Sequence, residues 1–336
     1  MYKGTVLITG ASGFLGSHIA ARLIDQGYKI RATFRSESKS QLFLNVLGGK
    51  NIETCIVADI TAPGAFLGAI VGADFVIHTA SPFTFKITDI KKDLIEPAVE
   101  GTTRMLEAIA SSSNVKRVVL TSSFAAVVDP TKGPRAGYSY TGPVLKPRVE
   151  EDWNPMTPEK ALENNLFGYQ ASKTFAEKAA WDFIDSKARN GKTPSLVTIC
   201  PPMIFGPVHP ASGITKDALN ESSAQLLHAM TSADPAPTRM PVFVDVRDVA
   251  QAHVDALDVA KIPNSERFVV CAGKFTWAAI KEIYESGAAS AESMSPANDY
   301  YSISTKKIEE MMGIKWIGLQ SSVKDALQSL DVKSKI

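Results

Sequence analysis

The stretch from Thr9 to Gly16, with the sequence TGASGFLG, constrains the fold more than any other part of the chain. It follows the apolar run Val6 to Ile8, which is typical of a buried strand, and precedes residues 17–26, where apolar side chains recur at helical spacing. A glycine-rich turn between a strand and a helix lets main-chain N–H groups at the positive helix end approach a pyrophosphate, where any Cβ would obstruct them. The stretch therefore predicts a dinucleotide-binding turn, and a glycine-rich turn without a ligand is the alternative.

Composition indicates a globular enzyme or binding protein. Of 336 residues 45% are hydrophobic, and the formal net charge is +1. The apolar content suffices for the core of one large or two intermediate domains. The balanced charge gives no electrostatic reason to expect nucleic acid or a membrane surface as a partner.

The sequence predicts neither a targeting or membrane-spanning segment nor a metal site. No apolar run is long enough to cross a bilayer, and the first strand follows Met1 too closely to leave room for a signal sequence. The cysteines Cys55, Cys200 and Cys271 do not have metal-ligand spacing, so we expect reduced packing residues and no metal. These features predict a cytoplasmic protein, either a monomer or a homodimer.

Strand and helix patterns alternate as far as residue 200, and mostly helical patterns follow. This outline predicts an α/β fold with a Rossmann-type doubly wound parallel sheet and a smaller, mostly helical C-terminal lobe that binds substrate. We expect residues 1–202 to form the dinucleotide-binding domain, including the catalytic helix, with a strand returning to it near residues 242–248. Residues 203–336 would then form mainly the substrate lobe. The Pro- and Gly-rich residues 129–160 predict a long loop.

The end of the second predicted strand, at Phe34, indicates which dinucleotide is bound. A carboxylate at this position would accept hydrogen bonds from a ribose 2′-hydroxyl, whereas an arginine suits a 2′-phosphate. Here Arg35 follows the strand and Lys39 lies within reach, so the sequence favours NADP over NAD. Two solvated cations on a surface loop are the alternative. Asp59, after the third strand, could bind the adenine amino group or cap the following segment.

The fourth predicted strand runs into a turn of small residues, Thr79 to Ser81. Small side chains at the carboxyl end of a strand allow a cofactor to lie against the backbone, as expected where the strand order of the sheet reverses. His78 lies within the apolar part of the strand. We therefore expect a hydrogen-bonded core histidine there and not a ligand.

A carbonyl-reducing site is predicted from Ser123, Tyr169 and Lys173. Tyr169 and Lys173 are four residues apart on one helical pattern and share a face, while Ser123 follows the fifth strand. Hydride addition to a carbonyl leaves an alkoxide, so a positioned proton donor lowers the barrier. Tyrosine has a pKa of about 10, which a nearby ammonium lowers. We expect Tyr169 to be the acid, Lys173 its activator and ribose ligand, and Ser123 the group that orients the carbonyl oxygen. An exposed Tyr/Lys pair is the alternative.

With these motifs identified, the chain resembles an extended short-chain dehydrogenase/reductase, within the branch of dihydroflavonol and cinnamoyl-CoA reductases. Four runs carry the resemblance and are closely similar to fungal NADPH-dependent methylglyoxal and 3-methylbutanal reductases: His78 to Phe83, Val118 to Ser123, Ser172 to Trp181 and Val244 to Ala250. The resemblance implies NADPH-dependent reduction of aldehydes and ketones with Ser123, Tyr169 and Lys173 as the catalytic set.

The resemblance also implies the cofactor-binding residues. They are Gly10, Ser12, Gly13, Phe14, Leu15, Gly16, Arg35, Lys39, Asp59, Ile60, Thr79, Ala80, Ser81, Tyr169, Lys173, Pro201, Met203 and Ile204. One departure affects the mechanism. Many members carry a catalytic asparagine three residues before a helix glycine, and this chain has Ala98 three residues before Gly101. Water, or a ribose hydroxyl together with Lys173, would then have to return the proton.

Candidate walls of the substrate pocket are Phe83, Phe85 and Phe124, together with Met203, Ile204 and Phe205, and they favour a hydrophobic carbonyl compound. Two other functions remain open from the sequence. An NAD-dependent nucleotide-sugar epimerase would use the same Tyr/Lys pair, and a non-catalytic NADP sensor would keep only the glycine turn.

Overall fold

The computed structural model describes residues 2–49, 51–81, 87–141, 153–188, 194–235 and 237–332. Within these ranges the strands are β1 (Thr5–Thr9), β2 (Lys29–Phe34), β3 (Ile52–Ile56), β4 (Phe75–His78), β5 (Arg117–Thr121), β6 (Ser139–Thr141), β7 (Ser195–Cys200), β8 (Met203–Phe205), β9 (Val242–Asp245), β10 (Glu266–Val269), β11 (Gly273–Lys274) and β12 (Ser302–Ser304). The α-helices are α1 (Phe14–Asp25), α2 (Glu37–Leu47), α3 (Glu96–Ala110), α4 (Pro158–Ala161), α5 (Asn165–Ala188), α6 (Glu221–Thr231), α7 (Val246–Asp255), α8 (Trp277–Ser286), α9 (Ala291–Met294), α10 (Lys306–Met312) and α11 (Leu319–Ser329).

The large sheet has seven strands in the described ranges, in the order β10-β7-β5-β4-β1-β2-β3, and all of its pairs are parallel. The predicted α/β class with a doubly wound parallel sheet is confirmed. The strand order reverses at β1, which lies between β2 and β4. The carboxyl ends of β1 and β4 therefore border the crevice in which doubly wound sheets bind their ligands.

Both faces of the large sheet are buried, which explains the continuous apolar run of β1. Val6 and Ile8 point into a core cluster that contains side chains of α1 and α7. Leu7, between them, points into the opposite cluster with α3 and α5. Since successive side chains of a strand alternate between faces, a strand covered on both sides is apolar at most of its positions.

The strand that returns to the large sheet differs from the prediction. Residues 242–245 form β9, which pairs with β8 and β11 in a three-stranded sheet. The returning strand is β10, which pairs with β7. Both segments are short and strand-like, and only tertiary pairing decides which of them joins which sheet.

Three further elements depart from the sequence patterns. The segment after Phe34 forms the helix α2, although few of its side chains are buried. The predicted loop 129–160 contains β6, which pairs with β12, and the short helix α4. Residues 142–152 of that loop lie outside the described ranges.

Candidate active site

A single cavity of about 750 Å³ extends from the glycine turn to the predicted catalytic residues. This volume lies within the range of small-molecule and cofactor sites, roughly 300–1,000 Å³. The predicted residues that line the cavity are Gly10, Ser12, Gly13, Phe14, Leu15, Gly16, Arg35, Lys39, Ile60, Thr79, Ala80, Ser81, Ser123, Tyr169, Lys173, Pro201, Met203 and Ile204. The fold thus brings to one cavity residues that are spread over most of the chain.

Glycine is required at positions 10 and 16 of the turn for two different structural reasons. Gly10 has a φ of +67°, and a Cβ there would lie 2.8 Å from Thr79 Oγ1 and 3.0 Å from the main-chain nitrogen of Ala80. A Cβ on Gly16 would lie 2.1 Å from the carbonyl oxygen of Gly10, so α1 could not pack this closely on β1. The first position needs the left-handed backbone, and the other needs the absence of a side chain.

The N-terminus of α1 is well suited to a pyrophosphate. Its N-cap residue, Gly13, makes no side-chain cap hydrogen bond, and no acidic residue lies in the first helical turn. The helix end that lines the cavity therefore presents main-chain N–H groups and the positive end of the helix dipole without a competing carboxylate.

Two cations lie where the adenosine ribose of a dinucleotide would bind. Arg35 follows β2 directly, Lys39 lies in the first turn of α2, and both line the cavity. Arg31, by contrast, is held away from this region by hydrogen bonds from its guanidinium to Glu53. The residues present fit a 2′-phosphate better than a ribose 2′-hydroxyl, because no carboxylate ends β2.

Asp59 acts as a cap, one of the two alternatives that the sequence left open. Its Oδ1 accepts hydrogen bonds from the main-chain N–H and the hydroxyl of Thr61. These bonds lower the pKa of the Asp59 carboxyl. Asp59 does not line the cavity, whereas its neighbour Ile60 does.

Ser123 is held by the short 3₁₀ turn that it caps, Phe124–Ala126. Its Oγ accepts the main-chain N–H of Ala125 at 3.1 Å. The hydroxyl also forms a hydrogen bond with the phenol of Tyr169, which brings the two groups together at the end of β5. Because the Oγ already accepts from the backbone, its own proton is available for Tyr169 or for a carbonyl oxygen.

Tyr169 and Lys173 lie on the same face of α5, as the spacing predicts. Burial raises the pKa of Tyr169, and the hydrogen bond from Ser123 opposes this effect. Burial lowers the pKa of Lys173 to about 8. The Lys173 ammonium donates a hydrogen bond to Ser81 Oγ at 2.9 Å and lies 5.9 Å from the centre of the Tyr169 ring. In the protein alone, the pKa of Tyr169 is thus shifted in the direction opposite to the one expected from Lys173.

A buried ion pair beneath these residues was not predicted from the sequence. Glu177, one helical turn after Lys173, is 1% exposed and accepts a hydrogen bond from Arg267 Nε at 2.7 Å. Its carboxylate also accepts from Ser122 Oγ and Thr198 Oγ1. These bonds lower the pKa of Glu177 despite its burial. They join α5 to the carboxyl end of β5 and to β7 and β10. Two sequence signals could have indicated this ion pair. One is an ionisable residue on the buried face of a helical segment, and the other is an arginine within a strand-like segment.

The predicted aromatic wall is only partly supported. Phe83 and Phe85 lie outside the described residues. Phe124 is 1% exposed and packs against Tyr140 and Tyr301, away from the cavity, so the expectation that it contacts substrate is corrected. Its side chain is turned into the core by the 3₁₀ turn that begins after Ser123. Met203 and Ile204 do line the cavity. Phe205 is buried against Phe243 and Phe275 and does not line the cavity, so the expectation for this residue is corrected.

Several residues from the C-terminal part of the chain line the cavity and were not predicted from the sequence. They belong to the beginning of α6, the segment before β9 and the beginning of α8, and comprise Asn220, Glu221, Ser222, Gln225, Thr238, Arg239 and Trp277. Arg239 is exposed. No short sequence pattern marks these residues, because their position depends on how the C-terminal helices pack.

Comparisons with known proteins agree with this geometry. Residues 6–271 match the NAD dependent epimerase/dehydratase family, and the chain belongs to that family. A ketoreductase of Aspergillus niger, azaE, is 36% identical, with 97% of each chain covered. The NADPH-dependent methylglyoxal reductase GRE2 of Saccharomyces cerevisiae is 32% identical over 99% of this chain and 100% of the relative.

A solved structure gives the same result in three dimensions. The crystal structure of Gre2 from Candida albicans in complex with NADPH superposes with a TM-score of 0.85 and 33% identity, covering 97% of this chain and 98% of that one. The predicted resemblance to extended short-chain dehydrogenases/reductases is confirmed, and the relatives bear out an NADPH-dependent oxidoreductase. Among the described residues, no helix has both the length and the apolar character needed to cross a membrane.

Proposed function

We propose that the protein is an NADPH-dependent carbonyl reductase that converts aldehydes and ketones to alcohols. The observation that carries the proposal is that Tyr169, hydrogen-bonded to Ser123, lines the same cavity as the glycine turn and Arg35. The relatives named above include an NADPH-dependent methylglyoxal reductase and a ketoreductase. Substrates in the proposed class are methylglyoxal-like dicarbonyls and other aliphatic or aryl carbonyl compounds.

Each part of the cavity has a role in this proposal. The main-chain N–H groups at Gly13 and the first turn of α1 would bind the pyrophosphate, and Arg35 and Lys39 would bind the 2′-phosphate. Lys173 would bind the nicotinamide ribose while it remains hydrogen-bonded to Ser81. Bound NADPH would supply the hydride.

The protein side chains would handle the proton. The Ser123 hydroxyl would donate a hydrogen bond to the carbonyl oxygen, and the Tyr169 hydroxyl would give that oxygen its proton. Burial raises the pKa of Tyr169. The phenol therefore carries its proton near neutral pH. The Lys173 ammonium would stabilise the phenolate that remains after proton transfer.

Two other functions lead to different experimental results. A nucleotide-sugar epimerase would use the same Tyr/Lys pair, and Arg239 offers one cation for a diphosphate, but Arg35 and Lys39 suit NADP and not NAD. A non-catalytic NADP sensor would not require Ser123, Tyr169 and Lys173 in one place.

The test is the loss of NADPH absorbance when methylglyoxal, simple aldehydes, ketones and aryl carbonyls are added to the purified protein. We expect turnover with NADPH and much weaker turnover with NADH. Binding of NADPH without turnover of any carbonyl would instead identify a sensor. Interconversion of a nucleotide sugar without net oxidation of the cofactor would identify an epimerase.

A further inference from the structure

A second, much smaller cavity lies directly behind Lys173. Its volume is about 20 Å³, enough for one water molecule, which needs roughly 10–15 Å³. Lys173 and Ser81 line both this cavity and the large one. Ala98, at the position where many members of the wider family carry asparagine, forms part of its wall.

An unsatisfied polar atom lies in this small cavity. His78, in β4, is 2% exposed and lines the cavity, and its Nε2 has no hydrogen-bond partner among the described residues. The sequence predicted a hydrogen-bonded core histidine. This prediction holds for Nδ1 but not for Nε2. His78 Nδ1 lies 2.8 Å from Thr9 Oγ1. An unpaired polar atom at this depth costs roughly 1–3 kcal/mol, so a partner is expected.

The hydrogen bonds around Thr9 assign the protonation of the histidine ring. Thr9 Oγ1 accepts the main-chain N–H of Ala80, and its single proton is then free to be donated to His78 Nδ1. In this arrangement Nε2 carries the ring proton and points it into the cavity. Burial lowers the pKa of His78 to about 4, so the ring is neutral near pH 7.

We propose that the small cavity binds one water molecule, which accepts hydrogen bonds from His78 Nε2 and Lys173 Nζ and so fixes the ammonium beneath the catalytic tyrosine. His78 is then a positioning residue that acts through this water. The hydroxyls of Thr102 and Ser122, which are 6% and 5% exposed, line the same cavity and can accept the two protons of the water. The site takes the place of an amide at position 98, and its catalytic role rests on the proposed function.

The charged groups around the cavity favour this arrangement. Lys173 and Glu177, both on α5, are the other titratable side chains in its described lining. Glu177 is already engaged by Arg267, Ser122 and Thr198, and α3 contributes only Ala98 and Thr102. A water molecule is therefore the most suitable acceptor for both the imidazole N–H and a remaining proton of the ammonium.

The first test is a crystal structure of the wild-type protein with NADPH, at a resolution that shows ordered water. We expect one water within about 2.7–3.2 Å of both His78 Nε2 and Lys173 Nζ. A well-ordered cavity without that water would overturn the proposal. This result does not depend on which substrate the enzyme reduces, so it is separate from failure of the proposed function.

The second test is the variant His78→Leu, which removes the donor. We expect kcat for carbonyl reduction to fall about tenfold with little change in KM for NADPH. The alkaline limb of kcat/KM for NADPH should move down by about 0.5–1 pH unit, because the ammonium loses a hydrogen-bond acceptor. His78→Gln keeps a side-chain N–H donor and should restore part of both effects.

A matched control is His18→Leu. His18 is 9% exposed, its Nε2 is hydrogen-bonded to the carbonyl oxygen of Pro207 at 2.8 Å, and burial also lowers its pKa to about 4. Its loss removes a buried histidine away from Lys173 and should leave the alkaline limb in place. Equal shifts in the His18 and His78 variants would show a general structural effect and contradict the proposal.

Discussion

The two ends of the large cavity are built in different ways: the proposed nucleotide end at the glycine turn, and the proposed carbonyl end at Ser123, Tyr169 and Lys173. At the nucleotide end, one turn of eight residues supplies the backbone shape, the helix terminus and the close packing, with Gly10 and Gly16 as its fixed points. At the carbonyl end, Ser81, Ser123 and Lys173 come from a turn, a strand end and a helix. The first end is local in sequence, and the second exists only in the folded protein.

The two ends also differ in electrostatics. The nucleotide end offers main-chain N–H groups and two cations, Arg35 and Lys39. The carbonyl end holds ionisable groups in a buried setting that raises the pKa of Tyr169 and lowers that of Lys173 to about 8. Chemistry at the carbonyl end should therefore depend on pH.

The largest effect is expected at the carbonyl end, from Tyr169→Phe. This change removes the proton donor and keeps the ring, so kcat should fall by about a thousandfold, or about 4 kcal/mol, because positioned proton transfer contributes roughly 10²–10⁴-fold. The dissociation constant of NADPH, measured by fluorescence titration, should change little. Tyr28→Phe is the control, since Tyr28 is also buried but packs against Phe75. A Tyr169→Phe enzyme that retains more than about a tenth of the wild-type kcat would rule out Tyr169 as the acid.

The difference between the two ends explains what could be predicted from the sequence. The glycine turn could be recognised because its strand, turn and helix are contiguous, and Tyr169 and Lys173 because helix geometry alone places them on one face. The parallel sheet followed from the alternation of apolar strands and helical segments. Each of these inferences needs only local geometry.

What could not be predicted depends on contacts between distant segments. Glu177 and Arg267 are 90 positions apart, and nothing in either segment indicates that they pair. The β9 and β10 segments are equally strand-like, so their assignment to two different sheets had to come from the structure. Arg239 reaches the cavity because the C-terminal helices place its segment there, and Phe124 leaves it because Ser123 begins a tight turn.

A smaller effect is expected at the nucleotide end, from Arg35→Ser. Loss of charge-assisted hydrogen bonds to a 2′-phosphate, about 1.5–3 kcal/mol, should raise KM for NADPH by roughly 10–100-fold. KM for NADH should remain nearly the same. The two KM values should therefore come closer together, and the preference for NADPH should decrease. Arg104→Ser is the control, because the Arg104 guanidinium contacts Glu107 and Thr61 and does not line the cavity. Equal changes in KM for the two cofactors would exclude a role for Arg35 in phosphate recognition.

The smallest effect is the pH dependence of the carbonyl end. Burial disfavours the charged form of Lys173 and lowers its pKa to about 8, so the ammonium is lost as the pH rises through that value. The ratio kcat/KM for NADPH, which reports on the free enzyme, should be level below roughly pH 7 and fall to about half of that level at pH 8. In Lys173→Arg the guanidinium stays charged, so the activity that remains should lose this decline. A decline that persists unchanged in the arginine variant would assign the titration to another group and would separate Lys173 from the electrostatics of the carbonyl end.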